Sequence, residues 1–184
     1  MSASTWTNED IQKALAGLAV IRDHGFSLRS PIPPAVFYAW LGAFYGVAIE
    51  VVITSNLAPS MVYLIQRPKD DPFYAGLWHT SGSILFPKEG MDEAARRVVG
   101  NEIGLKIGMN GVDPSRIKFV GRYDNVNNPR GHEPQMVYHL ELTSYEASNL
   151  GNREEKQWFP MHSLPHLVPS HNILLGMVLG SMQK

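Results

Sequence analysis

Two hydrophobic periods alternate along this chain. Runs rich in β-branched residues, which predict strands, fall at residues 47–54, 61–66, 117–123 and 136–142. Around them apolar residues return at helical spacing: Ile11, Leu15, Leu18, Ala19 and Ile21 between Thr7 and His24, then Ala94, Ala95, Val98 and Val99 between Met91 and Ile103. A strand offers one apolar face and a helix one apolar stripe, so a chain that interleaves them must stack helices on a sheet. The order predicts an α/β sandwich. Residues 55–60 have the composition of a turn closing a hairpin, and Gly25 and Gly104 stand where the two helices should stop. Residues 77–86 alternate short strand-like pieces around Gly82, residues 157–160 read as a last short strand, and residues 172–182 as a closing helix. The loop at 124–134, dense in Asn, Pro and Gly, is long enough to face a substrate.

A length of 184 residues, 44% of them hydrophobic, suits one domain with a sizeable core and a small extension. With 16 Lys and Arg against 17 Asp and Glu, the formal charge of -1 supplies no field to draw in long nucleic acid. The absence of cysteine excludes disulfides, zinc thiolates and thiol nucleophiles. Residues 30–49 carry no charge and match a bilayer in length, but Pro31, Pro33, Pro34, Gly42 and Gly46 spoil the continuous helix that a crossing needs. No membrane span is expected. A short helix opening at Pro34 through Ala35, Val36, Phe37, Trp40 and Leu41 is read as core packing or as a dimer surface, and a homodimer is the expectation. The first residues lack a basic stretch followed by an apolar one, so the expected location is the cytoplasm.

The most specific signal runs from Gly76 to Leu105. Gly82-Ser83 is followed after five residues by Glu89, then after seven by Arg97-Val98-Val99-Gly100-Asn101-Glu102-Ile103-Gly104-Leu105. Ahead of it stands Gly76-Leu77-Trp78-His79-Thr80-Ser81-Gly82, and later Glu154-Glu155-Lys156-Gln157-Trp158-Phe159-Pro160. This spacing resembles the signature of the Nudix hydrolase superfamily, a loop, helix and loop built around paired glycines, a Glu, and an Arg-Glu-x-x-Glu-Glu core. Several matches at fixed spacing are far more specific than one short pattern. The resemblance covers roughly residues 46–182 and implies a Nudix-type α/β/α sandwich with a mixed sheet, preceded by an N-terminal helical extension over residues 1–45.

The resemblance also implies roles. Glu89 and Arg97 would pair and fix the loop to the helix, a contact that serves structure and catalysis alike. The family's metal-binding carboxylates sit at the positions of Val98, Asn101 and Glu102. Val98 cannot ligate and Asn101 offers a neutral carbonyl, so Glu102 is the one carboxylate left. Magnesium takes about six oxygens, often with one or two carboxylates, and fills the rest with water and substrate phosphates. The implied cofactor is therefore one Mg2+, held by Glu102, the carbonyl of Gly82 and Asn152. Arg67, at the end of a strand, resembles a family arginine that stabilises a diphosphate.

An aliphatic residue after the Arg, a neutral residue before the last Glu, and that Glu retained resemble the GDP-mannose mannosyl hydrolases of this superfamily. That implies action on a nucleoside diphosphate linked to another moiety, possibly a nucleotide sugar. The subgroup's Gln-His pair is replaced by Asn152 and Arg153, and Arg153 cannot act as a base at neutral pH. Glu154 is the leading candidate base, with Glu155, His132 and Glu133 as alternatives. Arg67, Trp78, His132, Glu133 and Arg153 are the expected substrate contacts. His79, His139, His162, His166 and His171 show no zinc spacing and are read as structural or surface residues. The alternative reading of the missing acids is a catalytically inactive Nudix-fold module that binds a nucleotide or a protein.

Overall fold

Alternating apolar strands and amphipathic helices give, in the computed structural model of the protein, one mixed sheet covered on both faces. Residues 7–24, 33, 35–36, 46–56 and 60–182 are described. The chain divides between Trp40 and Leu41 into two compact units.

In the first unit, helix α1 (Asn8–His24) is capped as expected by Thr7. The Thr7 Oγ accepts the Asp10 N–H at 3.1 Å, and the Asp10 carboxylate accepts the Thr7 N–H at 3.0 Å. The aromatic helix expected from Pro34 lies, apart from helical Ala35 and Val36, outside the described residues.

The second unit is the sandwich. Its sheet comprises β1 (Ala48–Ser55), β2 (Met61–Gln66), β3 (Trp78–His79), β4 (Ser81–Ile84), β5 (Lys118–Asn125), β6 (Glu133–Leu142) and β7 (Lys156–Pro160). The strand order is β3-β2-β1-β6-β5. β1 pairs with β6 in parallel and with β2 and β4 antiparallel, which makes the sheet mixed. One edge of β1 is shared: its later part pairs with β2 (Ile53 opposite Tyr63), its earlier part with β4 (Glu50 opposite Gly82). The expected hairpin of β1 and β2 is present, with residues 57–59 outside the described set.

Period-2 alternation sorts β1 between two cores. Ile49, Val51 and Ile53 pack with Ala94, Ala95 and Val98 of α2 (Met91–Val98). Val52 packs on the other face with Leu174, Leu175 and Val178 of α4 (Pro169–Met182). Each such side chain taken fully out of water contributes about 1.5–3 kcal/mol. Three elements differ from the sequence reading. The α-helix begun at Met91 turns to a wider π-helical turn at Val99–Ile103, ended by Gly104 at φ 83°. A short helix α3 (Ser144–Leu150), for which the sequence reading made no assignment, follows β6 and is capped by a Thr143–Glu146 box. β6 begins at Glu133, so that residue lies on a strand rather than in the preceding loop. Among the described residues no helix is long and apolar enough to cross a membrane.

Candidate functional site

β4, the following loop and α2 are locked by one side chain. Arg97 donates from Nε to Glu89 Oε1 at 2.6 Å and from Nη2 to Glu89 Oε2 at 2.8 Å. It also donates to Ser83 Oγ at 3.2 Å and to the Ile84 carbonyl at 2.9 Å. Glu89 in turn accepts the Phe86 N–H at 3.0 Å, and the guanidinium lies 3.8 Å from the centre of the Phe86 ring. A planar fork with this many partners fixes the loop against the helix. Hydrogen bonding from Arg97 holds the Glu89 carboxyl below its ordinary range.

The end of that helix carries the three signature positions. Val98 is fully buried in the α2-side core, Asn101 is exposed, and Glu102 is half-buried. The carboxylate of Glu102 accepts no hydrogen bond from the described residues, and burial raises it above its ordinary value against the pull of Lys156, Arg97 and Arg67. Lys156, the first residue of β7, donates its ammonium to the main-chain carbonyl of Glu102. Arg67 follows β2 and is held by Asp71, whose Oδ2 accepts its Nε at 2.9 Å. Asp71 is anchored by the N–H groups of Phe73 and Tyr74 at 3.0 and 2.8 Å.

The opposite face of the sheet holds a polar group that sequence reasoning missed. Glu50 of β1 is 7% exposed, and its Oε2 lies 2.7 Å from Thr80 Oγ. Thr80 Oγ is also 2.8 Å from His171 Nδ1 on α4, and that nitrogen accepts the Thr80 N–H at 3.2 Å. The accepted N–H leaves Nε2 as the protonated nitrogen of a neutral ring. Burial pushes the Glu50 carboxyl up to about 8, helped by Glu133 and opposed by the Thr80 bond, Arg130 and Arg67. Burial lowers His79 to about 4 and holds His171 well below the usual histidine range. Burial thus favours the neutral form of Glu50. The one available signal was a lone carboxylate inside the apolar run Ala48–Ser55, where an unpaired charge is costly.

Other expected site residues fall as follows. Glu133 is buried, accepting from Asn128 Nδ2 at 2.7 Å and Arg130 Nη2 at 3.2 Å. Tyr74 donates to Asn128 Oδ1 at 3.1 Å, so the loop before β6 is tied to the segment carrying Arg67 and Asp71. His132, half-buried, lies beside Glu133 in that loop. Trp78 bonds by its main chain to His166 and Val168, and its ring meets Phe159 edge-on at 4.7 Å. Residues 153–156 make a tight turn closed between Arg153 N–H and Lys156 carbonyl at 2.7 Å, with Glu154 and Glu155 exposed at its tip. The Oδ1 of Asn152 accepts the Trp158 N–H at 2.8 Å. The structure thus gathers Glu89 and Arg97 in one clamp with Ser83 and Ile84, next in sequence to Gly82, and sets Glu102 beside Lys156. It puts Glu133 with Arg130 and Asn128.

Comparison with known proteins adds to this geometry. The family model described as NUDIX domain matches residues 45–175. The chain is 24% identical over 159 residues to the NAD-capped RNA hydrolase NudC of Pseudomonas entomophila (strain L48), covering 83% of this chain and 54% of that protein. It is 26% identical over 125 residues to the protein of the same name from Pseudomonas fluorescens, covering 64% of this chain and 42% of that one. The chain therefore spans about half the length of the curated relatives it matches. Among solved structures it resembles a mutT/nudix family protein from Listeria innocua, with TM-score 0.58, 16% identity and coverage of 77% and 95% of the two chains. It also resembles the NUDIX domain of Shewanella oneidensis NrtR complexed with ADP ribose, with TM-score 0.57, 16% identity and coverage of 82% and 99%.

Proposed function

The chain belongs to the Nudix family, and we propose that it hydrolyses a nucleoside diphosphate linked to a second moiety, with one magnesium ion as cofactor. The observation that carries this reading is Glu102, a half-buried carboxylate that accepts no hydrogen bond among the described residues, next to a loop that the Arg97–Glu89 fork holds rigid. A carboxylate left in that state favours a cation. Among the described residues no group of three or more His, Cys, Asp or Glu side chains is placed to hold a metal ion, so the one-ion reading rests on a single carboxylate completed by neutral oxygens and water. Glu102, the Gly82 carbonyl and Asn152 are the proposed ligands, and a magnesium ion there would offset charge on the diphosphate. Arg67, oriented by Asp71, would bind a phosphate, and Glu154 at the exposed turn is the proposed base. Trp78, His132, Glu133 and Arg153 are the proposed substrate contacts.

The relatives suggest substrates to try. GDP-mannose represents the nucleotide sugars, and an NAD-capped RNA oligonucleotide and ADP-ribose represent the compounds named for NudC and NrtR. Incubation with each plus magnesium, in water enriched with heavy oxygen, separates two chemistries. GDP plus a labelled sugar indicates cleavage at the glycosidic carbon, and two phosphorylated products indicate attack at phosphorus. Absence of turnover on every compound, with Glu102→Gln indistinguishable from the parent, overturns the proposal.

A second reading, a module that binds nucleotide or protein without turnover, draws on Val98. That signature position is fully buried among apolar side chains and offers nothing to a metal. Nucleotide binding without turnover would favour it. We extend the proposal to a homodimer, which a solution mass measurement tests.

A further inference from the structure

Three cations act on Glu102, and they are not equivalent. Arg97 is spent on Glu89, Ser83 and Ile84, and Arg67 on Asp71. Among the described residues the ammonium of Lys156 has only a neutral carbonyl as its hydrogen-bond partner, that of Glu102 itself. Arg67 and Arg97 are thus each matched by a carboxylate of their own, whereas Lys156 shares the neighbourhood with the bare carboxylate of Glu102. Two further acids at positions 98 and 101 would have made this corner strongly negative and able to attract more than one metal ion. Val98 and Asn101 remove that charge, and Lys156 adds a positive one at the same helix end.

We propose that Lys156 is a fixed cation of the diphosphate site, supplying from the protein part of the positive charge that the missing carboxylates would have recruited as metal. The inference rests on the nucleoside diphosphate reading above. A half-buried ammonium on a strand is oriented before the ligand arrives, which lowers the cost of binding. It contacts one phosphate oxygen as a point charge, and a charge-assisted hydrogen bond of this kind changes affinity by about tenfold or more. The same ammonium repels a divalent ion at Glu102, so metal binding by the free protein is weak and diphosphate binding survives without metal. A lysine that merely capped the helix carbonyls would affect stability alone.

The test is calorimetric titration of the full chain with ADP and with AMP, in EDTA and in magnesium. In EDTA the parent protein is expected to bind ADP more tightly than AMP, with an affinity that falls as potassium chloride rises. Lys156→Gln should lose about tenfold in ADP affinity with AMP unchanged, and Lys156→Arg should keep part of the preference. Titration with manganese, read by its paramagnetic resonance signal, should show tighter metal binding in Lys156→Gln than in the parent. An unchanged ADP-to-AMP ratio in a folded Lys156→Gln, or parent binding of ADP that is absent in EDTA or insensitive to salt, overturns the role of Lys156 alone. Failure of the parent to bind ADP even with magnesium overturns the nucleotide reading beneath it.

Discussion

Glu50 and Gly82 face each other across β1 and β4 so closely that a Cβ on Gly82 would lie 2.4 Å from either oxygen of the Glu50 carboxyl. The glycine is required by a side chain on the neighbouring strand, not by its own backbone angles. Because Gly82 also opens the signature loop, the buried acid on one face and the proposed metal corner on the other meet at one residue.

Gly82→Ala should therefore be destabilising. Glu50 cannot swing aside, being buried and bonded to Thr80. Forcing a methyl group into such a contact costs about 1–3 kcal/mol. Urea unfolding of Gly82→Ala measures this, and an unchanged midpoint would show that the carboxyl can move.

Glu50 also sets a pH dependence. Its carboxyl rises from the ordinary 4.5 to about 8 on folding, so the folded state holds the proton more tightly than the unfolded chain. The stabilisation from that proton is complete below pH 4.5, declines between 4.5 and 8, and is gone above 8. Glu50→Gln removes the titration, so its stability relative to the parent should rise with pH across that window by up to about 1.4 kcal/mol per pH unit. His79 acts with the opposite sign: lowered from 6.5 to about 4, its contribution is present above 6.5 and lost as pH falls towards 4. Denaturation midpoints collected from pH 4 to 9 for both proteins check the pair.

Glu102→Gln preserves shape and removes the proposed ligand's charge. Turnover on whichever nucleoside diphosphate derivative proves to be a substrate should fall by about a hundredfold or more, with stability little changed. Chelation of metal by EDTA should reduce the parent's rate by a comparable factor. A variant as fast as the parent would remove Glu102 from the chemistry.

Arg97→Lys keeps the charge and loses the fork. A lysine cannot reach Glu89, Ser83 and Ile84 together, so stability should drop by about 2 kcal/mol. The rate should fall with it because the loop at Gly82 is no longer held. Differential scanning calorimetry and steady-state kinetics on one preparation test both parts.

Much of this molecule could be read from residue order. Strand period placed β2 at residues 61–66, capping chemistry at Thr7 placed α1, and the family resemblance implied the pairing of Glu89 with Arg97. Each of these depends on neighbours within about ten residues, where side-chain type limits the local geometry. The capping box at Thr143 and Glu146 was equally local and was overlooked, because the helix it starts has only seven residues.

The rest was decided by packing between distant segments. Nothing near Glu50 in sequence indicates that Thr80, 30 residues on, and His171, on the last helix, will close over it. Nor does the motif say that the helix widens at Val99, or that Lys156 will reach the Glu102 carbonyl from another strand. Periodicity and motif spacing determined the layers and the family. The protonation of a buried acid and the charge balance at the helix end depend on burial and on through-space neighbours, which exist only once the sheet and its covering helices have closed.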